Sequence, residues 1–160
     1  MGLQYDAADG TRKNPIMGCY GIGVGRLMAS VCEAKHDDYG PIWPVSIAPW
    51  TVEICALRAD KTEVRATADK LYSDLTALGI DVLFDDRAVS AGFMFSDADL
   101  LGAPVRVVIS PKTVGKDMVE LVTRDKSVKR DVTIETAAAE IQAIIAELND
   151  RLNAKVPASL

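Results

Sequence analysis

Apolar and polar positions change rhythm along the chain in a way that marks alternating strands and helices from residue 52 onward. Val52-Glu53-Ile54-Cys55-Ala56-Leu57 is short, mostly apolar and bounded by turn residues, the pattern of a buried strand. Asp60-Lys61-Thr62-Glu63 resembles a capping box. The apolar residues after it, Val64, Ala68, Leu71, Tyr72, Leu75 and Leu78, recur at helical spacing until Gly79 supplies a stop. Ile80–Phe84 and Pro104–Ile109 predict two further strands, separated by a loop to Gly92 and a short helix through Phe95–Leu101. Alternation in Met118–Thr123 and Lys129–Ile134 predicts a hairpin, and the stripe Ala137, Ala138, Ile141, Ile144, Ile145, Leu148 and Leu152 a long helix after it. The expected fold class is α/β: a mixed, mostly parallel sheet with helices on both faces.

The rhythm breaks over residues 36–50, where His36-Asp37-Asp38-Tyr39-Gly40-Pro41-Ile42-Trp43-Pro44 and Pro49 are rich in turn formers. This predicts an N-terminal piece over 1–40, a linker over 41–50, a domain over 51–155 and a frayed tail at 156–160. The N-terminal piece offers a hairpin turning at Asp9-Gly10, a short strand ending in glycines, and a helix over Leu27–Ala34. One hairpin and one helix cannot bury a core alone, so this piece needs a partner surface.

Composition narrows the class. At 160 residues and 49% hydrophobic content the chain has material for one ordinary core with a short appendage. No apolar run approaches the ~20 residues that span a bilayer, and Met1-Gly2-Leu3-Gln4-Tyr5-Asp6 lacks a basic-then-apolar signal, so the expected location is cytoplasmic, without a membrane partner. Cys19, Cys32 and Cys55 are odd in number and lack Cys-x-x-Cys spacing, which predicts reduced, mostly buried thiols and no metal site. A net charge of −5 argues against a general polyanion or DNA binder. Locally the balance inverts: Lys112, Lys116, Arg124, Lys126, Lys129 and Arg130 face only Asp117, Glu120 and Asp125, a patch suited to an RNA backbone or, equally by charge alone, a solvated hairpin.

Two clusters carry candidate chemistry. Gly18-Cys19-Tyr20-Gly21-Ile22-Gly23-Val24-Gly25-Arg26 delivers one arginine at a helix start. Neither the dinucleotide fingerprint nor the P-loop fits: Arg26 or Met28 falls where the former needs its last glycine, and Val24-Gly25 replace the latter's lysine and hydroxyl. A nucleotide contact and a steric strand–helix corner both suit what is left. Asp85-Asp86-Arg87 follows a strand, where ligands of parallel sheets bind. Carboxylates there accept guanine N–H groups and a guanidinium stacks on a base or clamps a phosphate, while a solvated turn with a local ion pair has the same spacing. His36-Asp37-Asp38 reads as a solvated linker rather than a metal site, Asp97 and Asp99 as helix-start or surface residues, and Trp43 and Trp50 as seals of a domain junction. With His36 the sole histidine, no nucleophilic triad assembles.

Met17 to Leu27 resembles motif 3 of class II aminoacyl-tRNA synthetases in the form carried by the bacterial-type prolyl-tRNA synthetase family. Asp85-Asp86-Arg87 and Gly92-Phe93-Met94-Phe95-Ser96-Asp97-Ala98-Asp99-Leu100-Leu101-Gly102-Ala103-Pro104 are similar to the anticodon-binding domain shared by the prolyl, threonyl, histidyl and glycyl enzymes. The chain departs from many members at Ala88-Val89-Ser90-Ala91, where they carry charged residues and a proline. The resemblance implies that Gly21, Gly23 and Gly25 floor the ATP adenine, that Arg26 is the catalytic contact to the triphosphate, and that Cys19 and Tyr20 lie beside the amino-acid pocket. It implies Asp85, Asp86 and Arg87 as contacts to the anticodon loop of proline tRNA, and Lys112 and Arg124 of the basic patch are the expected RNA contacts beside them. The parent would be a homodimer using ATP with Mg. This chain, with motifs 1 and 2 missing before motif 3, is expected to bind no cofactor and to be inactive alone. A free-standing RNA-binding adaptor and a small-ligand-binding α/β domain are the competing expectations.

Overall fold

The structure, a computed structural model, describes residues 2–155; the expected tail at 156–160 lies outside them. In chain order the elements are β1 (Tyr5–Asp6), β2 (Arg12–Lys13), α1 (Val24–Ala34), β3 (His36–Asp37), β4 (Gly40–Pro41), β5 (Val52–Ala56), α2 (Thr62–Ala77), β6 (Val82–Asp85), α3 (Ala91–Leu101), β7 (Val105–Ile109), α4 (Pro111–Val114), β8 (Met118–Thr123), β9 (Lys129–Thr133) and α5 (Ala137–Asn153).

One five-stranded sheet, in the order β6-β5-β7-β8-β9, forms the body. β5 pairs in parallel with β6 and β7, and β8 pairs antiparallel with β7 and β9, giving the expected mixed sheet. The two-residue period of a strand divides its side chains between faces. Val52, Ile54 and Ala56 of β5, Val105, Val107 and Ile109 of β7, and Val119 and Leu121 of β8 point into the main core, with Val64, Leu71 and Leu75 of α2 and Ala137, Ile141 and Ile144 of α5. Cys55 points the other way and packs under Met94 and Ala98 of α3. Helices therefore cover both faces.

Local chemistry sets the boundaries, in places differently from expectation. Asp60 does not cap α2: its carboxylate is held by Arg58 at 2.9 and 3.0 Å, and Lys61 takes the N-cap position without a side-chain bond. Gly79, at φ +74, ends α2 as expected, with its N–H on Thr76 O and the Ile80 N–H reaching Leu75 O, the paired bonds of a Schellman turn. Tyr72 and Leu78, expected in the α2 stripe, are exposed. α3 starts four residues earlier than expected because Ser90 caps it, accepting from Phe93 N at 3.3 Å.

The N-terminal piece has the expected hairpin, β1 against β2, but the expected strand before the glycines does not form. Among the described residues no strand lies alongside 14–23, so its backbone has no ladder partner. Ile16, Met17, Tyr20, Ile22, Val24, Leu27 and Met28 are exposed, and α1 buries no residue. Cys19 is also exposed and Cys32 only half-buried, which overturns the expectation of mostly buried thiols; Cys55 alone of the three is buried.

Residues 36–38, expected as a solvated linker, belong instead to a docked segment that runs to residue 41. β3 and β4 form a hairpin, and Gly40 lies against Asp99 and Leu100 of α3. Gly102, at φ +75, abuts the Pro41 carbonyl and the Trp43 ring. Trp43 Nε1 donates to Leu101 O at 3.0 Å, which ties residue 43 to the end of α3. Asp37 is gripped by Arg124 and is not a solvated linker residue.

Candidate nucleic-acid interface

Because β6, β5 and β7 are parallel, their carboxyl ends share one rim of the sheet. That rim carries Asp85-Asp86-Arg87 after β6, Arg58 after β5, and Lys112 in the short α4 after β7, where a reciprocal Ser110–Thr113 capping box and Pro111 fix the turn. The sequence-predicted residues Asp85, Asp86, Arg87 and Lys112 thus fall together.

Within the rim their roles differ. Asp85 is 7% exposed and accepts from Arg87 three times, from the backbone N at 3.1 Å, Nε at 2.9 Å and Nη2 at 2.7 Å. These bonds hold its carboxyl below the usual carboxylate range. Three of its acceptor sites are thereby spent on positioning Arg87. Arg87 Nη2 also donates to Asp97 at 2.8 Å, and the guanidinium lies 5.9 Å from the Phe93 ring centre, so a fixed and half-exposed plane is presented outward. Asp97, in the middle of α3, is the second anchor of Arg87, and Asp99 accepts from Arg106 at 2.9 Å; of the helix-start or surface roles expected, neither residue takes the first.

Asp86 is half-exposed and accepts from Arg65 Nη1 at 2.6 Å. Arg58, Asp60, Arg65, Asp86, Ala88 and Val89 line a cleft of about 420 Å³ at the ends of β5 and β6. Arg58 adopts φ +63, a strained left-handed conformation for a side-chain-bearing residue, and this aims it at Asp60. The cleft pairs each arginine with an aspartate, an arrangement that hydrogen-bonds donors and acceptors of a polar edge without a strong net field.

Arg124 leaves the candidate set. β8 runs antiparallel, so Arg124 at its end lies at the opposite rim, with its N–H on Pro104 O at the start of β7. Its side chain is 3% exposed and spends its donors on Asp37, Gly40 O and Asp99 O. The rest of the basic patch is also dispersed: Lys129 pairs with Glu120, Arg130 with Glu140, and Lys126 lies near Asp37 and over the Tyr39 ring.

The nucleotide candidates do not gather into a site within this chain. Gly21, Gly23, Gly25 and Arg26 are exposed, as are Cys19 and Tyr20. A Cβ placed on Gly21 or Gly25 would meet nothing within 4 Å, so these atoms floor no cradle for an adenine. Among the described residues no group of three His, Cys, Asp or Glu side chains is placed to hold a metal ion.

Two residues of the sheet face were missed by motif reading although a signal existed. Glu53 and Arg106 are charged residues in otherwise apolar strands, and register places them side by side on β5 and β7. Arg106 donates to Asp99 and lies 5.1 Å over the Phe95 ring. Glu53 is 1% exposed, and burial first, then the Asp85 charge, push its carboxyl up to about 7.

A family model described as the anticodon binding domain matches residues 45–144. The chain belongs to that family. The match covers the five-stranded sheet and the first half of α5, the unit that carries the charged rim. Similar proteins include proline–tRNA ligases of Dehalococcoides mccartyi strain CBDB1, 45% identical over 149 residues, and Aquifex aeolicus, 45% identical over 147. These alignments cover 93% and 92% of this chain but 26% of each relative, so the chain spans about a quarter of their length. The crystal structure of prolyl-tRNA synthetase from Cryptosporidium parvum complexed with L-proline and AMP superposes with a TM-score of 0.72 at 21% identity, over 94% of this chain and 32% of that one, a likeness of fold. The kinship expected from the motif residues and the α/β class are both borne out. No helix among the described residues is long and apolar enough to cross a membrane.

Proposed function

We propose that this chain is the anticodon-reading portion of a proline–tRNA ligase and that its strand-end rim grips the anticodon loop of proline tRNA. The observation that carries this is the position of the family match: residues 45–144 are the domain whose parallel strands end in Arg58, Asp86, Arg87 and Lys112. Arg87, locked by two aspartates, offers a preorganised plane for stacking or for a guanine edge; Asp86 accepts N–H groups; Lys112 supplies a phosphate contact. A net charge of −5 makes this a local contact rather than a general affinity for polyanions.

The parent activity is ATP-dependent prolyl-tRNA formation in a homodimeric cytoplasmic enzyme. The exposed glycine run and Arg26 belong to its ATP–Mg site, whose remaining wall this chain does not supply, so the chain alone neither binds ATP nor forms prolyl adenylate. Titration with a proline tRNA anticodon stem-loop tests the RNA assignment. Saturable, salt-sensitive binding that is lost when the anticodon guanines are replaced supports it; equal affinity for an unrelated stem-loop refutes it. Proline-dependent pyrophosphate exchange by the purified chain would overturn the assignment of the chemistry to the longer ligase.

A further inference from the structure

Glu53 has a place in the fold that the rim does not use. Neither of its buried carboxylate oxygens has a hydrogen-bond partner. Its register neighbour Arg106 likewise has a buried Nε without a partner, although Nη1 donates to Asp99 Oδ1 at 2.9 Å and lies 3.4 Å from Phe95 O. Parallel strands run about 4.8 Å apart, so an unused acceptor and an unused donor stand within side-chain reach. Buried polar groups of this kind are costly unless they find each other or water.

The surroundings decide when they meet. Glu53 faces Asp85 from β6, Arg87 from the following loop, Asp97 from α3 and Arg106 from β7, with Asp99 behind Arg106 and the Cys55 thiol on its own strand. Three aspartates already share two guanidiniums there. A further negative charge in a dry site is disfavoured, so the proton stays on Glu53 well above the pH at which an exposed glutamate loses it.

We propose that Glu53 is a positioning residue for Arg106: as the neutral acid it leaves the guanidinium to Asp99, and on giving its proton to solvent it accepts the Arg106 Nε–H. The step forms one Nε–H···Oε bond and removes one proton to water, and Arg106 stays protonated throughout. The guanidinium that ties β7 to α3 through Asp99 then gains or loses a second anchor with one buried proton, and α3 is the helix whose Asp97 sets Arg87. Only this link to Arg87 rests on the proposed RNA contact; the proton-dependent exchange is a property of the protein by itself.

The test is an NMR titration of the full chain without RNA, between about pH 5 and 9, following the Glu53 carboxyl carbon and the Arg106 Nε–H pair. The expected result is a Glu53 midpoint near about 7 and a downfield Arg106 Hε shift with the same midpoint. Glu53→Gln abolishes the Arg106 transition, and Asp99→Asn, which removes a neighbouring negative charge, lowers the shared midpoint. An Arg106 signal that stays flat while Glu53 titrates, a transition that survives Glu53→Gln, or a Glu53 midpoint in the ordinary carboxylate range overturns the proposal. Should Glu53→Gln fail to fold, an unmoved midpoint in Asp99→Asn overturns it equally.

Discussion

Asp37 and Arg124, 87 positions apart in the chain, meet in a two-point ion pair, with Nη1 2.7 Å from Oδ2 and Nη2 2.6 Å from Oδ1. The arginine is buried and the aspartate partly so, and the same guanidinium reaches the carbonyls of Gly40 and Asp99. Hairpin, α3 and β8 are thereby joined at one side chain.

Removing that side chain strands a carboxylate and two carbonyls. Arg124→Ala is expected to cost about 3 kcal/mol in urea unfolding, and Arg124→Lys more than half of that, since an ammonium cannot span the same acceptors. Arg124 holds the Asp37 carboxyl well below the usual carboxylate range. A depressed carboxylate contributes stability above its unfolded pKa and loses it as pH falls toward its folded one, so this contribution fades below about pH 4. Arg124→Ala should flatten that acid limb; an unchanged limb in the variant would count against the pairing.

Glu53 gives a slope of opposite sign. Its folded pKa is raised from 4.5 to about 7, so the native state holds the proton more tightly. Its contribution is complete below 4.5 and is lost progressively as pH rises to about 7. Glu53→Gln should remove roughly 3 kcal/mol of pH-dependent change across that window, on the order expected for a shift of this size. Denaturant midpoints collected from pH 5 upward check it; parallel curves for both proteins would refute it.

Gly79 and Gly102 share nearly the same backbone, φ +74 and +75, but not the same neighbours. A Cβ on Gly79 meets nothing within 4 Å, whereas on Gly102 it collides with the Pro41 carbonyl and comes within 3.0 Å of the Trp43 ring. Gly79→Ala should cost only the left-handed penalty, about 1 kcal/mol. Gly102→Ala should cost about 2–4 kcal/mol by adding overpacking to it, with a red shift of tryptophan emission as Trp43 leaves Leu101. Equal losses in thermal melts would show that the hairpin yields without strain.

The rim predicts separable effects on RNA. Arg87→Ala should weaken stem-loop binding by about 1–3 kcal/mol and relax base preference. Lys112→Ala should weaken all sequences alike and reduce the salt slope by about 0.7–1. Arg124→Lys, measured where it is still folded, should leave affinity unchanged because Arg124 lies at the other end of the sheet. Filter binding or fluorescence anisotropy at several salt concentrations distinguishes the three.

Much of the fold was legible because strand and helix periods are local. Val52–Ala56, Val105–Ile109 and the α5 stripe needed no tertiary information, and Gly79 stopped its helix as a glycine there should. Asp60 was misread because Arg58, two residues away, competes for its carboxylate. Arg124 was misplaced because charge counting along the chain ignores strand direction, and an antiparallel β8 carries it to the far rim. The docking of residues 36–41 was invisible because it rests on partners such as Arg124 and Leu101, far off in sequence.

Strand order also dictates timing during synthesis. β5 is the first strand of the sheet to leave the ribosome, yet both of its neighbours are made later, β6 by residue 85 and β7 by residue 109. β7 in turn keeps an open edge until β8 ends at Thr123, and the next residue is the arginine that captures Asp37. A nascent chain halted just before Arg124 has an outer β8 edge still awaiting β9 and an Asp37 carboxylate still without its guanidinium, and an unpaired edge is the feature most prone to sticking to other chains. One further residue supplies the guanidinium that pins down the segment translated almost ninety positions earlier.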